Sequence, residues 1–286
     1  MNRTIAARVS AGLLFLGLAW FAHTQNQNQP PQLTVNKVKD DLFEIEGDGG
    51  NVAVYVTDEG VVLVDDKFDR DHEGIVSKVK SVTNQPIKYV LTTHHHSDHS
   101  GGNTQFLSTA EIISTVNARN NIVEHKQPNA EPGMSPARVV FTTEMSVFLG
   151  GKEVRAQYLG RGHTNGDAFI YFPALRTIHT GDMMAGNTPL IDYTGGGSVI
   201  EWIKTLDAAL KLDFDTVIPG HGPVTTKAGL QTYRDNIEKL RTRASGLIRE
   251  GKSQDEVGKV MAAEFGWAPG SLQAQWSLPG MMKELR

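Results

Sequence analysis

Thr93-His94-His95-His96-Ser97-Asp98-His99-Ser100-Gly101-Gly102 places four potential metal ligands within six residues, directly after the apolar run Ile87-Lys88-Tyr89-Val90-Leu91. Side chains on a strand alternate with period two, so a strand continuing through this stretch sends His94 and His96 to one face and His95 to the other. Asp98 and His99 are then expected on a loop, free to turn toward a second ion. Imidazole nitrogen combined with carboxylate oxygen is a donor set that suits Zn²⁺. The stretch reads as one half of a two-metal site.

The other half lies downstream, each member after a strand-like segment. His163 sits in Gly160-Arg161-Gly162-His163-Thr164, Asp182 in His179-Thr180-Gly181-Asp182, and His221 in Pro219-Gly220-His221-Gly222. Each has a glycine beside it, which permits the sharp turns that bring ligands from several strand ends to one point. With the first stretch this makes five His and two Asp. His95 is expected to pack on the opposite face, and His179 reads as buried scaffold. His72 and His125 lie in polar sequence and are expected in solvent.

The series His-x-His-x-Asp-His, Gly-His-Thr, Thr-Gly-Asp and Pro-Gly-His-Gly, in this order, resembles the metallo-β-lactamase superfamily of binuclear metallohydrolases over roughly 33–224. The resemblance implies an α/β fold, the αββα four-layer sandwich, with a small helical C-terminal extension. It implies a first metal held by His94, His96 and His163, a second held by Asp98, His99 and His221, and Asp182 bridging the two. Two Zn²⁺ are the implied cofactors, with iron or manganese as alternative occupants. One group of true β-lactamases has Cys where Asp182 stands and Lys three positions later; this chain has no Cys, and Ala185 occupies the Lys position. The seven-ligand set is more similar to that of glyoxalase II and lactonases. Gly220-His221-Gly222-Pro223-Val224 nevertheless departs from the corresponding glyoxalase II segment, so no substrate carries over.

A chain of 286 residues is long enough to bury a substantial core. Its formal charge of −4 argues against nucleic acid as a partner, since such binders carry a basic stripe. Arg3 and Arg8 precede an apolar or small run from Ala11 to Ala22, and a polar Gln/Asn/Pro stretch follows. A basic start with so short an apolar run fits a secretory signal over 1–24 better than a spanning helix. Its removal takes two Arg and no acid, moving the formal charge from −4 to −6. The expected organisation is signal 1–24, polar tail 25–32, catalytic domain 33–224 and helical extension 225–286. The mature protein is expected in the periplasm or outside the cell, without stable membrane association. Its oligomeric state is left open.

Asn51–Thr57 and Val61–Asp65 flank Asp58-Glu59-Gly60 as a hairpin. Ile75, Val76, Val79 and Val82 give helical spacing within 71–82. A strand is expected over 111–116, a loop over 127–137, and strands at 138–141, 146–148, 154–159, 168–172 and 177–179. Ser198 followed by Glu201 is a capping-box signature for a helix reaching Leu212. Helices are expected near 228–250 and 254–265 and at the C-terminus.

Two zinc ions sharing a bridging water lower its pKa toward neutrality and supply a hydroxide nucleophile at pH 7. Asp98 is the candidate catalytic residue, its free oxygen orienting the hydroxide or shuttling a proton. The expected function is an exported zinc hydrolase acting on an ester, thioester, lactone or strained amide of a small molecule. A genuine β-lactamase is the alternative. A mono-iron sulfur dioxygenase and a non-catalytic metal binder stand behind it, and RNA processing is disfavoured by charge and the signal segment. The segment from Met183 to Leu190 is expected to rim the pocket, with Gly47–Gly50 as the opposite wall. Tyr193, Trp267 and Trp276 read as packing residues.

Overall fold

The hairpin of β3 (Val52–Thr57) and β4 (Gly60–Val64) carries the alternation that organises the molecule. Both strands are almost wholly buried, yet their side chains serve two different cores. Val52, Val54, Val61 and Leu63 face one way, with Ile75 and Val79 of the helix His72–Val82. Ala53, Tyr55, Val62 and Val64 face the other way, with Ile170, Phe172 and Ile218 of a second sheet. A strand buried on both faces must be apolar throughout, which is how these two segments read. Each Val side chain removed from water contributes about 1.5–3 kcal/mol.

The computed structural model describes residues 32–126 and 133–286. The expected signal segment and nearly all of the expected polar tail lie outside the described residues. The first sheet runs in the order β1 (Thr34–Lys39), β2 (Leu42–Glu46), β3, β4, β5 (Ile87–Leu91), β6 (Glu111–Thr115), β7 (Val139–Phe141). It is antiparallel through β4 and parallel from β4 to β7. The second runs β13 (Thr225–Thr226), β12 (Thr216–Ile218), β11 (Thr177–His179), β10 (Phe169–Phe172), β9 (Lys152–Gln157), β8 (Glu144–Leu149), with only β11 and β12 parallel. On its outer face Phe169, Tyr171, Ile178 and Val217 pack with Trp202, Leu206, Ile237 and Leu240 from the helices Val199–Ala209 and Lys227–Arg249. Helix, sheet, sheet and helix give the expected αββα sandwich.

The C-terminal helices Gln254–Phe265 and Leu278–Glu284 add Val257, Met261, Leu278 and Met281 to that same outer core. Residues Leu33–Arg286 accordingly form one compact unit. No helix among the described residues is long and apolar enough to cross a membrane.

Several expectations are corrected by this architecture. Strands β1 and β2 precede the hairpin, and a helix at Val116–Val123, capped by the Thr115 side chain, follows β6. Strand β5 ends at Leu91, so His94–His96 lie on the bend beyond it rather than on the strand. Asp98 and His99 occupy a short helical turn, Ser97–Ser100, not a loop. Ser198 does cap its helix by accepting from Glu201 N, but the Glu201 carboxylate pairs with Arg161 at 2.9 Å instead of turning back. The reciprocal capping box stands at Ser253 and Glu256. Residues 127–132 of the loop expected over 127–137 lie outside the described residues; Gly133, within it, accepts from the Thr104 hydroxyl.

Candidate metal centre

The chain ends of β4, β5, β11 and β12 and the β9–β10 connection converge on one edge of the sandwich. Parallel strands leave their C-terminal ends together, so the bends that follow can pool their side chains. His94, His96, His163 and Asp182 bring one ligand atom each within 4.8 Å of one another, and so do Asp98, His99 and His221. All seven residues singled out from the sequence meet here. His95 belongs to neither group and adjoins His96 through Asp192: its Nδ1 faces the Asn121 amide and its Nε2 lies 3.5 Å from Asp192.

The protons of these imidazoles are assigned by their other partners. His163 Nδ1 donates to the Leu190 carbonyl at 2.6 Å, His96 Nε2 to Asp192 at 3.0 Å, and His99 Nδ1 to Asp65 at 2.7 Å. Thr93 gives its hydroxyl proton to Asp65, leaving its oxygen to accept from His94 Nδ1 at 3.0 Å. Each ring is thereby left with one basic nitrogen, and these nitrogens point inward. His96 Nδ1 and His163 Nε2 face each other at 3.0 Å. His94 Nε2 is buried without a partner. Two lone pairs opposed at this distance repel, and an orphaned buried acceptor costs about 1–3 kcal/mol; a cation between them removes both costs.

The carboxylates supply the matching charge. Asp182 Oδ1 is 3.1 Å from His99 Nε2 and 3.5 Å from His221 Nε2, while Oδ2 is 3.7 Å from His163 Nε2. Each oxygen of Asp182 thus looks toward one triad. Burial acts to raise its carboxyl, but His221, His99 and His163 hold it well below the usual range. Burial likewise opposes Asp98, yet His99 and His221 hold that carboxyl at about 2. In the opposite sense, burial lowers His94, and the neighbouring His99, His96 and His163 add to it. Burial also works against a charged His99, but Asp182, Asp98 and Asp65 outweigh it. The result is a neutral nitrogen-rich pole at His94 and an anionic pole at Asp98 and Asp182. The donor set fits two divalent cations.

Several residues that hold the site were not singled out in the sequence. Asp65 and Asp192 are both buried among the histidines. Asp65 has a legible signal, an acid closing the apolar run Val61–Val64; Asp192 has none. Asp65 and Lys67 both adopt positive φ, 62° and 58°, a conformation costing non-glycine residues of order 1–3 kcal/mol each. The reversal brings Lys67 Nζ to the Gly50 carbonyl at 2.6 Å. Gly50 N in turn donates to Asp98 O, and Asn51 reaches the Pro219 and Gly222 carbonyls. The Gly47–Gly50 segment expected as a pocket wall is therefore a brace behind Asp98, His99 and His221.

A cavity of about 550 Å³ opens over the centre. His96, Asp98, Asp182 and His221 form its floor, and Phe68, Ala185, Leu190, Leu272 and Trp276 its apolar walls. Gly186, Ser97, Asn187, Thr188 and Gln273 complete it. The expected rim from the segment ending at Leu190 is present, although Met183 points into the core. Trp276 is corrected from packing residue to cavity wall, whereas Trp267 is buried. Tyr193 donates to Glu284 and faces away from this cavity's lining. His72 is corrected too: its ring packs against Phe106, tilted by 59° with centroids 4.4 Å apart, and Nδ1 is buried. His179 is scaffold, with Nδ1 accepting from Gly181 N and Nε2 donating to Asn51 O.

Comparison with known proteins decides the family. The family model described as the metallo-beta-lactamase superfamily matches residues 45–221. This chain belongs to the metallo-β-lactamase superfamily. Members of this superfamily are metal-dependent hydrolases. A metallo-beta-lactamase, IND-1 of Chryseobacterium indologenes, is 27% identical over 176 residues, 60% of this chain and 71% of that protein. Among solved structures, DIM-1 metallo-beta-lactamase aligns with a TM-score of 0.63 at 22% identity, covering 74% of this chain and 99% of that one. The inverting sec-alkylsulfatase Pisa1 of Pseudomonas sp. aligns with a TM-score of 0.69 at 18% identity, covering 88% of this chain and 49% of that one. These structural likenesses speak for the superfamily fold alone.

Proposed function

We propose that this protein is an exported binuclear zinc hydrolase that cleaves an ester, thioester, lactone or strained amide of a small molecule. The observation that carries the reading is the convergence of seven ligand residues, with the ring protons of His94, His96, His99 and His163 directed outward to other partners. His94, His96 and His163 would hold one ion and Asp98, His99 and His221 the other, with Asp182 between the two groups and one oxygen toward each. Ions held there polarise a carbonyl as Lewis acids and bring a water's pKa toward neutrality.

The chain's own contribution is to orient, to exclude water and to hold a proton. Asp65, Asp192 and the Leu190 carbonyl fix ring orientation, so ligand geometry is prepared before substrate arrives. Asp98 is ionised and open to the cavity; its Oδ2 faces His221 and His99, which leaves the other oxygen to orient a water and receive its proton. Phe68, Leu190 and Trp276 keep the surroundings dry, which strengthens each electrostatic contact. We place the catalytic domain at 33–224, with 225–286 as a helical extension that completes the cavity. Export rests on Arg3, Arg8 and the Ala11–Ala22 run; recovery of a periplasmic protein whose N-terminus has lost residues 1–24 tests it.

A β-lactamase is the second reading, favoured by relatives named as metallo-β-lactamases. Against it, no Lys or Arg lines the cavity among the described residues to receive a β-lactam carboxylate. Metal analysis should find two zinc ions per chain, and iron at one per chain would redirect the reading to oxygen chemistry. The zinc-loaded protein is assayed against a chromogenic cephalosporin, a carbapenem and a set of aryl esters and lactones, with Asp98→Ala as control. Ester or lactone turnover lost in the control supports the proposal. Turnover confined to the lactams moves the second reading ahead, and no turnover of any class overturns both.

A further inference from the structure

The walls of the cavity carry information that its floor does not. Leu272 is 51% exposed, and among the exposed large hydrophobics of the described residues it alone faces this cavity. Trp276 lies beside it, its ring centroid 5.7 Å from that of His96 and nearly perpendicular to it. Both belong to the connection between Trp267 and the last helix, and Trp276 sits on a π-helical turn, Gln273–Ser277. Such turns are rare and are found at functional sites more often than elsewhere.

This wall is anchored rather than loosely laid over the cleft. Trp267 is buried at its start, and Ser277 Oγ accepts from Ile191 N at 2.9 Å at its end. Beyond it Glu284 accepts from Val199 N at 3.0 Å, from the Tyr193 hydroxyl at 2.7 Å and from the Ser198 hydroxyl. The apolar surface of Leu272 and Trp276 is therefore presented at a fixed place in the cavity that Phe68 also lines. A preformed apolar wall selects a ligand without an ordering cost.

Charge points the same way. Arg161 and Lys283 line a neighbouring cavity that shares Trp276 as a wall, not the metal cavity. Arg70 stacks on the Phe68 ring but is paired with Asp48 at 2.6 Å and is not among the lining residues. Among the described residues no Lys or Arg therefore lines the metal cavity itself. An anionic group further out would be desolvated against Leu272 and Trp276 without a partner.

We propose, on the hydrolase reading above, that the substrates are neutral carbonyl compounds with an extended apolar group, and that Trp276 and Leu272 are the specificity-determining residues that seat it. Burying each additional methylene on this wall should raise kcat/KM about fourfold until the wall is covered.

The zinc-loaded full chain is assayed with p-nitrophenyl acetate, butyrate and hexanoate, and with the monoester of adipic acid, which places a carboxylate at the chain tip. Hexanoate should exceed acetate by at least tenfold in kcat/KM, and the adipate monoester should lose that advantage. Trp276→Ala and Leu272→Ser should each cut the hexanoate-to-acetate ratio severalfold, and Trp276→Phe should restore most of it. Zinc content and melting temperature serve as folding controls, and Leu272→Ser, at an exposed position, guards against misfolding of the Trp276 variant. Calorimetric binding of the unreactive N-hexylacetamide against 6-acetamidohexanoate reads the wall without turnover. Tighter binding of the neutral amide, weakened by Trp276→Ala, upholds the proposal even in a protein that hydrolyses no ester. Ester turnover without chain-length preference, or preference for the carboxylate-tipped ligands, overturns it and leaves the hydrolase reading in place.

Discussion

Asp65 Oδ2 accepts a hydrogen bond from His99 Nδ1 at 2.7 Å, between two fully buried side chains 34 positions apart. The same oxygen takes the Thr93 hydroxyl proton at 2.8 Å, and Oδ1 takes Thr93 N at 2.7 Å. Since Thr93 in turn receives His94 Nδ1, one carboxylate orients a ligand in each triad. Asp65→Asn replaces one accepting oxygen with an NH2 group, which cannot accept from Thr93 N while the amide oxygen serves His99 Nδ1 and the Thr93 hydroxyl, nor the reverse. It should lower metal affinity about 10–100-fold, measured by zinc competition with a chromogenic chelator, with Asp192→Asn giving a comparable loss through His96.

Gly50 brings the backbone into close approach with the centre. A Cβ there would stand 2.2 Å from His99 Cε1 and 2.5 Å from Nε2, and it cannot be accommodated while Gly50 N holds Asp98 O. Gly50→Ala should cost about 1–3 kcal/mol in urea unfolding and remove most of one metal equivalent. Gly246→Ala is the counterpart: it lies inside the long helix with nothing within 4 Å, and it should stabilise by roughly 0.5–1 kcal/mol.

Glu44 gives a pH-dependent stability away from the metals. Burial raises its carboxyl to about 7, with the Glu46 charge adding to it and Lys67 opposing, and one of its oxygens is buried without a partner. Its folded value exceeds the ordinary 4.5. The folded state therefore binds this proton more tightly, and stability falls as pH climbs from about 4.5 through 7. Glu44→Gln should leave stability unchanged at pH 4.5 and raise it by roughly 1–3 kcal/mol at pH 8, read from denaturant midpoints at the two pH values. Lys67 works in the other direction, since burial lowers it to about 8 and stability rises with pH above that. The comparison therefore belongs at or below pH 8.

Metal removal should loosen the site without unfolding the chain. None of the seven ligands belongs to the three apolar clusters that join the layers. Chelation should keep the far-ultraviolet circular dichroism and lower the melting temperature by several degrees. Readdition at a hundredfold excess over Kd should return about 2.7 kcal/mol per ion. Collapse of the dichroism on chelation would show that the metals, not the clusters, hold the sheets together.

Much of this architecture is legible in the chain. The apolar hairpin around Asp58-Glu59-Gly60, the helix at His72–Val82 and the helix at Gln254–Phe265 are marked by periodicity and turn residues, which act locally. Strands β1 and β2 escaped because residues such as Asn36, Lys37 and Lys39 break the apolar pattern at a sheet edge. The bend at His94–His96 resembles a strand in sequence because ligand spacing of two mimics strand alternation. The strand in fact stops at Leu91, where its parallel partner β4 also ends, and the chain then turns inward to satisfy Asp65.

The donor set, its order along the chain and the family are written in residue type and local spacing, because metal chemistry is carried by residue type and His163, Asp182 and His221 each sit beside a glycine that frees the turn. Only the tertiary structure decided which ring nitrogen faces inward, that Asp65 and Asp192 set that choice, and that Trp276 walls the cavity. These contacts join residues 34 to 180 positions apart, and no local propensity encodes them. They exist because burial forces each polar atom to find a partner, and the packed layers determine which partners are within reach.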